Sequence, residues 1–362
     1  MDGIFFLIHF RNIPILCYSS VPVKSLMCFK SAKVSFFHTE RESAVSKRRV
    51  LFVSKIVLAI IVLLWVINKV HFDTILKSLR NPASPSMIVI AFFLLIPNVT
   101  LQWFRWHFLL RLLKPGVSVD ESLISLFGGL TVGLVTPGRI GEFGRTLFIS
   151  KANHIKALGL IFIDKFYASV IMILFGVWGI ISFLGSQLDY HRYLMAPLVG
   201  LGLVLSTVGL MLILRPMYIR TFFYHLSLII PFRSKMKLFI DGLDLFPRNR
   251  AGFFVLLSVS VYCIYILQFS LLALAFEPMN FSTLFTSTTS TLFAKIVLPF
   301  SIGDLGIREG AAVYFFRHFG VQKVTAFNSA FLLFLINVMI PAVIGLFYIP
   351  RMDWRENTQT DE

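Results

Sequence analysis

Charge is what this chain has least of. Only 14% of its 362 residues are Asp, Glu, Lys or Arg, against 57% hydrophobic, and its mean hydropathy is +0.80. That composition excludes a soluble globular domain. Cysteine is scarce as well: Cys17, Cys28 and Cys263 form no CxxC pair, so neither a disulfide framework nor a thiolate metal site is indicated. The histidines are scattered without HxxxH or HExxH spacing, and no Asp-x-Asp pair occurs. That pattern argues against a metal hydrolase and a metal-dependent glycosyltransferase, and no metal or cofactor is expected. The short alternating segments of a β-barrel are missing too; the apolar runs here are continuous over about 20 residues.

What remains is an all-α polytopic membrane protein. Its net charge of +16 would suggest nucleic acid in a soluble protein. In a chain this apolar, Lys and Arg held on the cytoplasmic side against anionic lipid head groups is the simpler account, so lipid is the expected partner and nucleic acid is not.

Residues 1–49 carry Arg11, Lys24, Lys30, Lys33, Arg41 and the run Lys47-Arg48-Arg49. They read as a poorly ordered basic cytoplasmic leader rather than a cleaved signal peptide, with Met27 as an alternative start. Spans are expected at 50–67, 86–110, 157–184, 195–214, 252–276 and 324–349, and a short polar tail at 351–362. The cluster Gln102-Trp103-Phe104-Arg105-Trp106-His107 at the end of the second span suits the head-group level. A polar connection, 215–250, holds Arg215, Arg220, Arg233, Lys235, Lys237, Arg248 and Arg250.

Two stretches do not fit a simple span. Residues 121–150 contain Pro137, Gly138, Arg139, Gly141, Glu142, Gly144 and Arg145, and 282–316 contain Pro299, Gly303, Asp304, Gly306, Arg308 and Glu309. Gly and Pro interrupt the helical ladder, and charges are costly in hydrocarbon unless paired or facing water. Both stretches are read as broken or re-entrant hairpins. The separation of Pro137 and Pro299, 162 positions, also superposes Ile140, Gly141 and Gly144 on Ile302, Gly303 and Gly306, with Glu142 on Asp304. The same shift carries the run near Ser86 onto that near Gly252, as an internal repeat should. Repeat one covers about 86–184 and repeat two about 252–349.

The basic leader and the basic connection fix the orientation, with both termini cytoplasmic. Six crossings plus two hairpins that enter and leave by one face satisfy it, and the two repeats are then inverted. The alternative, hairpins that cross fully, gives eight spans and moves Arg139 and Arg145 outside.

Arg139, Glu142 and Arg145 are three apart and share a face on a helix. With backbone N–H groups left unshielded by the glycines, they suit a phosphate; a local salt bridge is the plainer reading. Asp164-Lys165 lies about two turns into the third long run, as either a structural ion pair or a proton carrier. Asp304 and Arg308 either neutralise each other or hold a ligand. The run Ser282-Thr283 and Thr286 to Thr291 either solvates a polar cavity or packs helices closely.

The segments LVTPGRIGEFGR and LPFSIGDLGIREG, with Asp164-Lys165 between them, resemble the lysylphosphatidylglycerol synthase transmembrane region family. The resemblance covers about residues 50–350, and that family includes flippase-like proteins of bacteria and archaea. Carried over, Pro137, Gly138, Gly141, Glu142 and Arg145 fill the first motif, and Pro299, Gly303, Gly306, Arg308 and Glu309 the second. Lys165 stands where the family pattern has Arg, and Asp304 where it usually has a further Gly. The aminoacyl-transferase domain of the two-part enzymes is not among these residues, so the resemblance implies a lipid-translocating role. The expected function is therefore transport of a phospholipid or polyprenyl-phosphate-linked lipid between leaflets of the cytoplasmic membrane. Arg139, Glu142, Arg145, Asp164, Lys165, Asp304, Arg308 and Glu309 are the expected substrate-binding residues. Two alternatives stay open: a membrane-embedded transferase with Glu142 or Glu309 as base, and a non-transporting membrane subunit.

Overall fold

The computed structural model describes residues 82–134, 136, 138–187, 192–229, 233–298 and 305–348. The expected span at 50–67, the leader and the tail lie outside the described residues, as do Pro137, Pro299, Gly303 and Asp304. Every regular element among the described residues is helical. The order is α1 (Pro85–Phe93), α2 (Leu95–Leu113), α3 (Val119–Leu134), a 3-10 helix (Ile140–Phe148), α4 (His154–Gln187), α5 (Met195–Leu214), α6 (Met217–Ile229) and α7 (Arg233–Asp244). There follow α8 (Ala251–Leu274), α9 (Phe281–Val297), α10 (Ile307–His318), α11 (Lys323–Phe334), a π-helical turn (Leu335–Met339) and α12 (Ile340–Leu346). Five stretches are long and apolar enough to cross a bilayer: Pro85–Leu113, His154–Gln187, Met195–Leu214, Arg248–Leu274 and Lys323–Leu346. They match the five expected spans that fall within the described residues. On α5 only Gly202 and Ile213 are buried. Leu201, Leu203, Val204 and Val208 stand bare, a surface suited to hydrocarbon and not to water.

Two proline rings explain two bends. Pro97 lacks an N–H and its ring crowds the carbonyl four residues earlier, that of Phe93, where α1 ends and α2 begins. Pro341 does the same to Asn337, which lies inside the π-helical turn. The bends are tied to one another: the Asn98 side-chain amide donates to Gln268 Oε1 at 3.0 Å and to Asn337 Oδ1 at 2.9 Å.

Two helical pairs, α3 with the 3-10 helix and α9 with α10, are each closed at the base by a carboxylate. Glu121, at the start of α3, accepts from the Ser150 N–H at 2.9 Å, just past the 3-10 helix, and from Lys114. Glu277, just ahead of α9, accepts from the Gln322 N–H at 3.0 Å, just past α10. Each excursion therefore begins and ends at one place. The 162-residue shift carries Val119, the first residue of α3, onto Phe281, the first residue of α9. Packing is exchanged between the two halves. α9 lies on α4, where a Cβ on Gly176 or Gly179 would strike Phe293 or Thr289. α3 lies on α12, where Thr131 Oγ1 donates to the Ala342 carbonyl at 2.6 Å.

The 215–250 connection is more ordered than a polar loop. It folds as α6 and α7 because its apolar residues recur at helical spacing: Phe223 and Phe239 close on Phe162 of α4. The hydroxyl run on α9 takes the close-packing role at three positions, Thr288, Thr289 and Thr291, whose Oγ1 atoms donate to carbonyls one turn back.

α7 reaches α4 through glycine: a Cβ on Gly242 would sit 2.2 Å from the Lys156 carbonyl oxygen, a backbone atom. Gly242→Val is expected to lower stability by about 1–3 kcal/mol, the usual cost of overpacking. Gly200→Val, with nothing near its Cβ, is expected to leave it unchanged. Thermal denaturation of the detergent-solubilised protein checks both.

Candidate functional site

The first hairpin is built to bring charge inside. On α3, Gly129 and Gly133 sit one turn apart on the face toward the 3-10 helix. A Cβ on Gly129 would overlap Arg145 Cγ at 2.2 Å, and one on Gly133 would overlap Glu142 Cγ at 2.6 Å. Gly129 and Gly133 therefore sit within an intact α3 and make room for two charged side chains. The backbone at Gly141 and Glu142 does not offer the open N–H groups that a phosphate would need. The Gly141 N–H donates to Thr136 Oγ1 at 2.7 Å and the Glu142 N–H to the Arg139 carbonyl at 3.0 Å. Gly138 and Arg139 both take left-handed backbone, φ 59° and 56°, to start the return arm. For Arg139 that conformation is an unfavourable one. The 3-10 helix repeats every three residues and so stacks Arg139, Glu142 and Arg145 on one edge more closely than an α-helix would.

Glu142 is the hub. Its carboxylate meets Arg139 at 2.7 Å, Arg145 at 3.0 Å and the Lys165 ammonium. Arg145 bridges onward to Asp164 at 3.2 Å, and Asp164 is also held by Arg105, whose Nε donates to it at 3.0 Å. The expected site residues Arg139, Glu142, Arg145, Asp164 and Lys165 thus gather in one cluster. Asp164 and Lys165 do not serve each other: the acid faces the two arginines and the base faces Glu142. Among the described residues four cations of the cluster, Arg105, Arg139, Arg145 and Lys165, share two carboxylates, Glu142 and Asp164. Its inner members are buried, whereas Lys165 and Arg139 keep 33% and 20% of their side chains exposed.

Arg105 is the member the sequence reading missed. Within the run from Gln102 to His107, expected at the head-group level, Phe104 stays exposed while Arg105 and Trp106 turn into the protein. Arg105 and Trp106 are buried, and the indole N–H groups of Trp103 and Trp106 donate to Ser122 and Ser125 of α3 at 2.8 and 3.2 Å. Arg105 also donates to Ser258 on α8 at 3.2 Å, so one guanidinium joins α2, α4 and α8. Aromatic faces support the buried cations: Arg145 lies 5.6 Å from the Trp106 ring centre and Arg105 5.3 Å from that of Phe254.

The second hairpin carries a smaller pair. Arg308 donates to Glu309 at 2.8 Å, both fully buried, and lies 5.4 Å from the centre of the Phe334 ring. Glu309 also accepts from the Gly306 N–H at 2.7 Å, closing the start of α10. Gly306 takes φ 88°, which suits glycine. Glu309 is thus tied by both oxygens. Among the described residues no three His, Cys, Asp or Glu side chains gather as metal ligands would.

The lysylphosphatidylglycerol synthase TM region family matches residues 52–345, which include both hairpins and every helix of the cluster. A UPF0104 membrane protein of the archaeon Methanocaldococcus jannaschii is 20% identical over 309 residues, covering 80% of this chain and 91% of its own. No solved structure matches.

Removing Arg105 would take from buried Asp164 its closest cation and leave Arg145 at 3.2 Å as its remaining ion pair among the described residues. Arg105→Met is expected to destabilise the protein by about 3–5 kcal/mol, as breaking a buried pair does. In the double variant Arg105→Met/Asp164→Leu a large part of that loss is expected to return. A thermal-stability double-mutant cycle in detergent measures both, and additive losses would contradict the pairing.

Proposed function

The chain belongs to the lysylphosphatidylglycerol synthase TM region family, and from that premise we propose that it moves a phosphate-bearing lipid between leaflets. The substrate is a phospholipid or a polyprenyl-phosphate-linked lipid. One observation carries this reading: a buried carboxylate, Glu142, is shared by three cations from two elements of the fold, two of them partly exposed. A carboxylate so placed occupies the position an anionic head group would take. Arg139 and Lys165, the two outer cations, exchange Glu142 for the lipid phosphate, and Arg145, anchored by Asp164, meets the same phosphate with the donor it now gives to Glu142. Guanidinium and ammonium groups in a poorly hydrated setting bind phosphate strongly, because competing water is scarce. Arg308 and Asp304 serve the matching place in the second hairpin.

The hairpins are re-entrant and the two halves form inverted repeats, opening the cavity to alternate sides. Three features support that: the shared base of each hairpin, the 162-residue register and the exchanged packing of α3 on α12 and α9 on α4. With the span at 50–67 the crossings number six. Both termini then face the cytoplasm, and the protein resides in the cytoplasmic membrane. The basic connection at 215–250 and the leader lie against anionic head groups.

Proteoliposomes carrying a fluorescent anionic lipid test the proposal. Wild-type protein is expected to transfer it, and Arg145→Ala to slow transfer by about 10–100-fold, the value of one lost charged hydrogen bond. Because Arg145 is buried, Lys165→Gln is the companion variant, expected to fold normally and to slow transfer as well. Equal, slow transfer by wild type and both variants would overturn the proposal.

A further inference from the structure

A lateral cleft of about 290 Å³ opens where the Pro97 and Pro341 bends meet. Its walls include Leu95, Val99 and Trp103 of α2, Leu123 and Phe127 of α3, and Pro341 of α12. Among the described residues no charged side chain lines it. Ile96 and Ile344, at its margin, are 63% and 40% exposed, so it opens on the lipid-facing surface. The opening is a product of the fold: both helices turn aside at their prolines while Asn98 and Asn337 hold the bends together.

The cleft and the charged cluster share two walls. Trp103 lines the cleft, and Trp106, three residues on in the same helix, lies under Arg145. On α3, Leu123 and Phe127 face the cleft, while Ser125 and Gly129 meet Arg145 from another face. We propose that the cleft seats one acyl chain of the membrane lipid whose phosphate is held at Arg139, Arg145 and Lys165; this rests on the function proposed above. Size favours one chain: the volume lies at the lower end of that of small-ligand sites, too little for a head group and two tails. In hydrocarbon an apolar cleft gains little from apolar burial alone, since lipid tails are as apolar as its walls. Its contribution is therefore to orient a lipid already held by its head group. A chain lodged between α2, α3 and α12 also touches both repeats at once, so its seating depends on how the halves are arranged.

Full-length protein in phosphatidylcholine vesicles containing a phosphatidylglycerol with a photoactivatable diazirine in one acyl chain provides the test. Peptide mass spectrometry is expected to find adducts on 95–103 and 123–127 at least about tenfold above those on 201–208 of lipid-exposed α5, a ratio that a modest site preference produces. Val99→Trp, which fills the cleft, is expected to bring the adducts down to the α5 level; Thr100→Trp, from a neighbouring position, is the second variant should Val99→Trp fail to fold. Uniform labelling along all lipid-exposed helices would overturn the proposal, and if transfer of the anionic lipid persists under that result, the function survives without the cleft. Enriched, Val99→Trp-sensitive adducts in protein that transfers no lipid would support the cleft and remove the transport reading instead.

Discussion

The fold depends on the sharing of one carboxylate, that of Glu142, among Arg139, Arg145 and Lys165. Ions taken out of water lose several kcal/mol of hydration each, and only close partners and stacked aromatic rings offset that loss. Here the partners come from the 3-10 helix and α4, and through Arg145, Asp164 and Arg105 the chain of contacts runs on to α2 and α8. One ionic network thus fixes the returning arm of the hairpin against three long helices. Arg139 and Lys165 stand at the partly exposed end of that network, and in the proposed function they are the groups an anionic head group meets first.

Much of this was legible in the residues. The three-residue spacing of Arg139, Glu142 and Arg145 placed them on one edge, and the position of Asp164 two turns into a long apolar run marked it as buried. The five spans follow from the long apolar runs, and the places where those runs are broken by Gly and Pro mark the two shorter helical pairs. Arg105 was hidden because an aromatic-basic cluster near the end of a span reads the same whether it faces a head group or a neighbouring helix. A signal was present in Ser122, Ser125 and Gly129, small residues three or four apart on the next helix, which leave room for large side chains opposite. The glycines misled for a related reason: periodicity shows where Gly occurs, but only packing shows that Gly129 and Gly133 yield space to charged neighbours within an intact helix. α6 and α7 were obscured by their many basic residues, although Phe223 and Phe239 supply the apolar face that docks on Phe162.

Rigid and yielding parts are arranged in a consistent way. Glu121 and Glu277 close the hairpin bases, and Asn98 binds two proline bends. Between these fixed points lie the left-handed backbone at Arg139, the π-helical turn before Pro341 and the partly exposed Lys165. α3 packs on α12 and α9 on α4, so the first charged cluster and the second lie on elements in direct contact with the other half of the chain.

Charge selectivity at the hairpin tests the central claim most directly. Ile140 is exposed beside Arg139 and belongs to neither carboxylate network. With Ile140→Cys in a chain otherwise free of cysteine, reconstituted in sealed vesicles, the rates of modification by anionic and cationic thiosulfonates from each side can be compared. An interior site where Arg139, Arg145 and Lys165 receive an anion predicts faster reaction with the anionic reagent, from one face only, slowed by added anionic lipid. Equal rates for both reagents, or reaction from both faces alike, would place the cluster in open water and contradict it.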